Sequence, residues 1–401
     1  MGYELMVWKK ALVGMLISVL LVGVPIGQAA WSVAGELGLT TAVKKTAAPA
    51  APETTAVAAV LLEPVTNQVI YEKEAHKELP MASVTKLMTL LLAVEAVEQG
   101  KFKLTDQVVT SENAWEMGGS QIYLEPGEEM TLREMLTAIG LQSANDACVA
   151  VAEYMTGSEE AFVQEMNGKA KELGLVNTSF ANCHGLTADN HYTSAYDLAI
   201  ILKEGLKYPL FREISSMKES DLRGGAFKLW NTNKLLWWYP GADAGKTGWT
   251  EKADYCLASS AERDGLRLIC VVLGTKEPSS HFRESTKIFD FGFARYRAVN
   301  VAAAGTVAGT VKVGKGQAAQ VDAVAAEKVA VVALKGEEKS FESKIELPGQ
   351  IDAPVLKGQE LGAYVVTKGG QEVLRVKLVA AGDVPKANML QQMKRVLDKV
   401  Y

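Results

Sequence analysis

The feature that most constrains the fold is an apolar run that begins directly after Ser83 and Lys86 and closes at Gly100. Leu, Met and Val occur on nearly every side of the helix that this spacing predicts, which is typical of a buried helix. Ser83 falls in the first turn, where backbone N–H groups have no partner within the helix. Lys86 lies three residues later, on the same face and within reach of the Ser83 hydroxyl.

Ser83 and Lys86 are a nucleophile and a base of the kind that an activated serine needs. A serine hydroxyl is a weak nucleophile at neutral pH and needs a neighbouring base. A lysine can be that base when burial or nearby positive charge lowers its pKa. Ser83-Val84-Thr85-Lys86 therefore predicts a reactive serine at a helix N-terminus. Ser-x-x-Lys alone is a common pattern, and an N-cap serine beside a surface lysine is the alternative.

Two later segments complete a set of motifs. Ser143-Ala144-Asn145 stands at the mouth of a second apolar helix, and Lys246-Thr247-Gly248 precedes a predicted pair of strands. The order Ser-x-x-Lys, Ser-x-Asn, Lys-Thr-Gly is that of the penicillin-recognising serine enzymes. Each motif is weak alone, but the three in this order on one chain are specific.

Two segments between the first and second motifs carry local signals. Gln121-Ile122-Tyr123-Leu124 precedes a Glu-Pro-Gly turn and is predicted to form a short strand. Thr131 precedes an apolar helical run and is predicted to be its N-cap.

The residues around the motifs extend the likeness. The segments Met81–Thr89, Leu141–Ala147, His184–Leu186 and Gly245–Gly248 closely resemble those of the low-molecular-mass penicillin-binding proteins, the serine-type D-alanyl-D-alanine carboxypeptidase family. The resemblance covers roughly residues 57–292. It implies a reaction that needs no metal and no cofactor.

The resemblance implies an α+β fold. A penicillin-recognising domain with an antiparallel sheet and a helical subdomain is expected at residues 57–298. From about residue 299 helical periodicity gives way to short Val-rich runs split by turns, which predicts a small all-β domain at 299–384. Residues 385–401 form a basic amphipathic pattern. Such a helix either contacts an anionic membrane surface or packs on its own domain.

The catalytic roles follow from the resemblance together with the chemistry of the side chains. Ser83 would attack the peptide carbonyl between two D-alanines and form an acyl-enzyme. Lys86 would accept the Ser83 proton. Ser143 would relay the proton to the leaving amine, and Asn145 would hold either Lys86 or the substrate amide.

The third motif is expected to bind the substrate. Lys246 and Thr247 would lie on an edge strand, where a peptide can pair by strand addition. Gly248 would let the substrate backbone approach closely. By analogy with the family, the oxyanion hole would use the backbone N–H of the nucleophile and that of Trp249. Lys276 stands where such enzymes place a cation for the terminal carboxylate, although a plain surface lysine is an equal alternative.

The N-terminus predicts export. Two lysines precede an uncharged apolar stretch and a group of small residues, so residues 1–30 are predicted to be a signal peptide, with an uncleaved membrane span as the alternative. Residues 31–56 are rich in Ala, Pro and Thr and predict a linker. The rest of the chain is expected at the extracytoplasmic face of the membrane or cell wall, secreted or peripherally anchored.

Charge and cysteine usage exclude some partners. The net charge of −5 argues against nucleic acid. The four cysteines show no Cys-x-x-Cys spacing and are expected to be buried free thiols rather than metal ligands. The resemblance implies peptidoglycan stem peptides and β-lactams as partners, and the basic amphipathic pattern adds a possible membrane contact through residues 386–401.

Two rival functions stay open on sequence alone. A serine β-lactamase of the Glu-dependent kind would need Glu-x-x-x-Asn between the second and third motifs, and no Glu from Glu153 to Glu219 has Asn four residues later. A catalytically idle wall-binding scaffold would be expected to have lost Ser83 or Lys86, and both are present.

Overall fold

The structure, a computed structural model, describes residues 50–391. The predicted signal peptide, residues 31–49 of the predicted linker and residues 392–401 of the predicted tail helix lie outside the described residues. Within 50–391, no helix has both the length and the apolar character needed to cross a bilayer.

Helices and strands alternate irregularly along the described chain. The helices are α1 Lys86–Glu98, α2 Glu112–Trp115, α3 Leu132–Leu141, α4 Asn145–Thr156, α5 Glu159–Glu172, α6 Ala195–Gly205, α7 Pro209–Ser216, α8 Leu235–Trp238 and α9 Ser280–Arg295. The strands are β1 Ala58–Glu63, β2 Gln68–Lys73, β3 Gln107–Val109, β4 Glu129–Thr131, β5 Glu219–Leu222, β6 Phe227–Trp230, β7 Ala242–Thr250, β8 Asp254–Arg263, β9 Leu266–Thr275, β10 Tyr296–Ala302, β11 Val307–Gly314, β12 Gln320–Ala325, β13 Val329–Leu334, β14 Phe341–Glu346, β15 Gln350–Asp352, β16 Glu360–Lys368 and β17 Gln371–Ala380.

A five-stranded antiparallel sheet organises the first part of the fold, with the order β2-β1-β9-β8-β7. Strands β1 and β2 form an antiparallel hairpin. Because β7 stands at the end of this order, the strand that carries the third motif is an edge strand, as expected. One row of its backbone groups is consequently available to pair with an extended peptide.

The two faces of the sheet are covered by different helices. Alternate residues of a strand point to opposite faces. Val60 and Leu62 accordingly pack in the core that includes α1, α3, α4 and α6, whereas Leu61 packs with Ile288 and Phe289 of α9. Burial on both faces explains why β1 is apolar without alternation.

Helix α1 is buried on nearly all sides, as its composition predicts. Every residue from Lys86 to Val94 is buried. A 3-10 turn over Ala82–Thr85 precedes the helix, so Ser83 lies in that turn and Lys86 opens the α-helix. Such tighter turns are common at helix N-termini. The turn places the partly exposed Ser83 beside the buried Lys86 at the N-terminal end of α1.

The last third of the described chain is all β. Six strands form a sheet with the order β14-β16-β17-β12-β11-β15, and β10 pairs with β13. The core contains Val311, Val366 and Leu378 among other apolar residues. The predicted α+β fold with a following all-β part is confirmed. Strand β10 starts at Tyr296, directly after α9, and so runs across the predicted boundary at residue 299.

Candidate active site

The three motifs meet at one end of helix α1. Lys86 lies at the start of α1 and is fully buried. Its Nζ lies within hydrogen-bond distance of Ser83 Oγ, at 3.1 Å, and donates a hydrogen bond to Asn145 Oδ1, at the start of α4, at 2.6 Å. It also donates to the backbone carbonyl of His184. The first two predicted motifs are therefore in direct contact.

The surroundings of Lys86 define what its amine can do. The Asn145 and His184 oxygens only accept hydrogen bonds, so each takes one N–H from Lys86. A neutral amine has two N–H groups and one lone pair. With both N–H groups engaged, the lone pair faces Ser83 Oγ, the one remaining partner, and can accept the hydroxyl proton.

Burial favours the neutral amines of both site lysines. The pKa of Lys86 is lowered from its ordinary value because burial penalises the charged form. Lys246 on β7 is also fully buried, and its pKa is lowered to about 7, first by burial and then by the charge of Lys86. Its Nζ donates to Thr247 O at 3.1 Å. In its charged form, the Lys246 amine adds positive potential to the site.

The buried Lys246 should destabilise the fold increasingly as the pH falls from 10.5 to about 7. The pKa of Lys246 falls from 10.5 to about 7 on folding, so between these values the unfolded state binds more protons and stability rises with pH. Replacing Lys246 by methionine is expected to raise the free energy of unfolding by roughly 1–4 kcal/mol at pH 6. Urea unfolding at pH 6 and pH 9.5 measures this, and the advantage should shrink at the higher pH.

A matched control is Lys101→Met, since Lys101 is exposed. That variant should show no comparable pH-dependent gain. A stability advantage of Lys246→Met that grew with pH would contradict the assignment of a buried lysine with a lowered pKa.

Ser143, the first residue of the second motif, has an unusual environment. It is buried, it adopts a left-handed backbone conformation at φ 65°, and its hydroxyl has no hydrogen-bond partner within residues 50–391. A buried hydroxyl without a partner is costly, which is common where a substrate supplies the missing contact.

The loop over the second motif differs from the sequence prediction. Residues 121–124 form no strand, because Ile122 and Leu124 donate their backbone N–H groups to the Asp146 carboxylate at the start of α4. Asn145 holds the same loop through Gly118 O, at 2.6 Å from its Nδ2. The predicted strand is wrong because a side chain, rather than a neighbouring strand, takes its N–H groups.

Strand β7 brings the third motif beside the nucleophile. A Cβ added to Gly248 would lie 2.9 Å from Ser83 N and 3.0 Å from Met81 O, so only glycine allows this approach. Thr247 Oγ1 donates to Thr232 Oγ1 at 2.7 Å. Sequence reasoning missed Thr232, although its place in the polar stretch 231–233 before β7 was a usable signal.

Gly185 closes the other side of the Ser83 turn. Its φ is 97°, and a Cβ added there would lie 2.1 Å from the carbonyl oxygen of Ala82. Gly185→Ala is therefore expected to lower the penicillin acylation rate by at least about 10-fold and to lower the melting temperature, because the Ser83 turn must move. Stopped-flow acylation and thermal unfolding measure the two effects.

The control for this substitution is Gly168→Ala in α5, where an added Cβ meets nothing within 4 Å. It should keep the wild-type acylation rate and stabilise the protein by about 0.5–1 kcal/mol. An unchanged acylation rate in Gly185→Ala would show that the turn tolerates displacement.

Two other predicted substrate-binding residues, Trp249 and Lys276, lie near the C-terminal end of β7. The Trp249 side chain is 54% exposed and packs on Tyr255, with ring centroids 6.0 Å apart. Lys276 follows β9, is largely exposed, and pairs with Asp254 at 2.8 Å. A carboxylate bound by Lys276 would compete with Asp254 for its charge.

The potential metal ligands of the described residues are dispersed. Among residues 50–391, no group of three or more His, Cys, Asp or Glu side chains could hold a metal ion. The four cysteines are buried and free.

Family models match both parts of the chain. The model described as D-alanyl-D-alanine carboxypeptidase matches residues 44–277, and the model of the penicillin-binding protein 5 C-terminal domain matches residues 296–386. Among curated proteins, D-alanyl-D-alanine carboxypeptidase DacF of Bacillus subtilis is 44% identical over 346 residues, 85% of this chain and 89% of the relative. DacA of Escherichia coli is 33% identical over 86% of this chain and 87% of its own length.

Solved structures agree with these matches. Penicillin binding protein 5 from Haemophilus influenzae is 31% identical, with a TM-score of 0.69 over 84% of this chain and 99% of that one. A peptidoglycan synthesis regulatory factor, PBP3, from Streptococcus pneumoniae is 27% identical, with a TM-score of 0.70 over 83% of this chain and all of the other.

Proposed function

The chain belongs to the D-alanyl-D-alanine carboxypeptidase family, and from that premise we propose how its own residues remove the terminal D-alanine from peptidoglycan stem peptides. The observation that carries the proposal is the contact set of Lys86, whose amine bonds to Ser83 Oγ, Asn145 Oδ1 and the His184 carbonyl. A lysine with a purely structural role would not need its amine placed against a serine hydroxyl.

Acylation begins at Ser83. Its Oγ forms a bond to the carbonyl carbon between the two D-alanines while its proton passes to the neutral Lys86 amine. The tetrahedral intermediate then collapses, and the C–N bond breaks. The proton reaches the leaving amine through Ser143, whose hydroxyl has no other partner in the described structure. The products of this step are free D-alanine and an ester on Ser83.

Deacylation reverses the proton path. Water adds to the ester carbonyl as Lys86 accepts its proton, and the Ser83–acyl bond then breaks as Lys86 returns that proton to Ser83 Oγ, which releases the shortened peptide. A β-lactam carbonyl can form the same ester, but its amine leaving group stays attached to the acyl part. The proposal therefore includes acylation of Ser83 by β-lactams and slow hydrolysis of that ester.

The substrate would bind along the open edge of β7. Its backbone would pair with the strand beside Gly248, and its terminal carboxylate would meet Lys246 and the Thr247–Thr232 hydroxyl pair. The backbone N–H groups of Ser83 and Trp249 would stabilise the oxyanion.

The test is intact-protein mass spectrometry after incubation with penicillin, followed by an assay of D-alanine release from a pentapeptide. We expect one penicilloyl adduct per chain together with D-alanine release. Fast penicillin turnover without an adduct would indicate a β-lactamase instead. Absence of both adduct and turnover would leave a wall-binding scaffold.

All residues given a catalytic or substrate-binding role fall within 57–298, and residues 299–384 contribute none of them.

We extend the proposal to the location of the protein: residues 1–30 direct export, and the tail from 385 to 401 contacts an anionic membrane surface. The support is its spaced apolar residues and four basic side chains, Lys386, Lys394, Arg395 and Lys399. Vesicle co-sedimentation tests this, with a chain that ends at residue 388 as the control that should stay in solution.

A further inference from the structure

The peptide that joins Ala82 to Ser83 is held in an unusual conformation. Ala82 has a φ of 48°, a left-handed value that costs energy for a residue with a Cβ. Its carbonyl oxygen accepts a hydrogen bond from Thr85 Oγ1 at 2.7 Å. Thr85 is fully buried, so water cannot replace that bond. The Thr85 hydroxyl thus fixes a strained peptide at the nucleophile.

Thr85 is in turn held by a histidine from a distant loop. His191 Nε2 lies 2.8 Å from Thr85 Oγ1, and the backbone N–H of Ala181 donates to His191 Nδ1 at 3.0 Å. Because Nδ1 accepts, a neutral imidazole must carry its proton on Nε2. The three hydrogen bonds therefore all point the same way. Ala181 N–H donates to His191 Nδ1, His191 Nε2–H donates to Thr85 Oγ1, and the Thr85 hydroxyl donates to the carbonyl of Ala82.

A neutral imidazole is what this site favours. Burial, and after it the charge of Lys86, lower the pKa of His191 to about 4. The ring is nearly covered, at 7% exposure. The direction of the hydrogen-bond chain is consequently fixed at neutral pH.

The orientation of this peptide matters because its two polar groups point in opposite directions. In a trans peptide the C=O of Ala82 and the N–H of Ser83 are antiparallel. Fixing the carbonyl towards Thr85 directs the Ser83 N–H away from it. Ser83 N also lies 2.9 Å from the positions that Cβ atoms on Gly185 and Gly248 would occupy, so backbone packs against it closely from two segments.

We propose that Thr85 and His191 are positioning residues that aim the backbone N–H of Ser83 at the oxyanion. The inference rests on the proposed function, in which that N–H is one of two oxyanion donors. Neither side chain touches the reacting atoms. Both act through the Ala82 carbonyl.

The role predicts a specific kinetic pattern. The oxyanion forms in acylation and again in deacylation, so a misdirected donor slows both steps while initial substrate binding stays intact. Loss of a whole oxyanion donor costs about 100- to 1000-fold in rate. Because Thr85→Val leaves the N–H present but less well aimed, we expect acylation and deacylation each to fall about 10- to 100-fold, with KM changed less than about 3-fold.

The test measures acylation and deacylation rate constants and KM for Thr85→Val, Thr85→Ser and His191→Phe. Thr85→Ser keeps the hydroxyl and should return both rates to within about 3-fold of wild type. The rate constants of His191→Phe should fall less than those of Thr85→Val. The variant that combines Thr85→Val with His191→Phe should be little slower than Thr85→Val alone, because the two residues act in series.

The matched control is Thr137→Val in α3. Thr137 is also buried, and its hydroxyl also donates to a backbone carbonyl, that of Arg133, at 2.8 Å. It should lower the melting temperature as Thr85→Val does and leave both rate constants unchanged. Wild-type rates in folded Thr85→Val would overturn the inference, as would a loss confined to KM. Should Thr85→Val not fold, His191→Phe and the serine variant decide the question by the same measurements.

Failure of the proposed function would look different. In that case wild-type protein would form no penicilloyl adduct, or the adduct would persist in Ser83→Ala. With a wild-type adduct on Ser83 established, equal rates in wild type and Thr85→Val count against the positioning role alone.

Discussion

Ser83→Ala is expected to form no penicilloyl adduct and to release D-alanine at least about 10,000-fold more slowly than wild type. The reason is that no other hydroxyl lies within hydrogen-bond distance of the Lys86 amine among the described residues. Removing the nucleophile therefore removes covalent catalysis entirely. Binding at β7 and the oxyanion donors would remain and account for any residual rate.

Intact-protein mass spectrometry and a chromatographic assay for D-alanine measure this effect. Ser120→Ala is a suitable control, since Ser120 is exposed and contributes its backbone carbonyl, rather than its side chain, to the contact with Asn145. That variant should acylate as wild type does. An adduct that survives in Ser83→Ala would assign the nucleophile to another residue.

Lys86→Met should lower the acylation rate constant by about 1,000- to 10,000-fold while leaving the Ser83 hydroxyl in place. Methionine matches the length of the lysine stem but has no lone pair of sufficient basicity to accept the proton. Raising the pH should not restore the rate, because the missing base cannot be replaced by titrating another side chain. Stopped-flow acylation between pH 6 and pH 10 measures this.

The matched control is Lys203→Met on α6. Lys203 is half-buried and its pKa is also lowered by burial, but its amine bonds to Asn67 rather than to a site residue. It should acylate within about 2-fold of wild type. A Lys86→Met variant that acylated at a comparable rate would assign the base elsewhere, with Lys246 the nearest candidate.

The sequence predicts those residues that act through their own side chains and whose partners are close in the chain. Ser83 and Lys86 are three residues apart, which is about one helical turn, so their side chains were expected to be neighbours and are in contact. The Thr131 cap was also predictable, because the capping box uses only Thr131 and Glu134, close in sequence.

The contacts that sequence could not provide are those made by backbone or by distant loops. The carbonyl of His184 accepts from Lys86, yet a carbonyl has no signature in the sequence. Asn145 had two possible partners, and only the structure shows its Oδ1 directed to Lys86. The Asp146 carboxylate collects N–H groups from residues more than twenty positions earlier, which no local pattern reveals.

The junction between α9 and β10 has a mechanical consequence. Arg295 ends the helix and Tyr296 begins the strand, so no flexible residues separate them. Val332 of β13 packs with Ile288 and Phe289 in the core beneath the five-stranded sheet. Residues at the ends of helices and strands can act as hinges, but Tyr296 is already paired with Leu334 of β13. Bending at this junction would therefore disturb both the β10–β13 pairing and the packing of Val332 against α9.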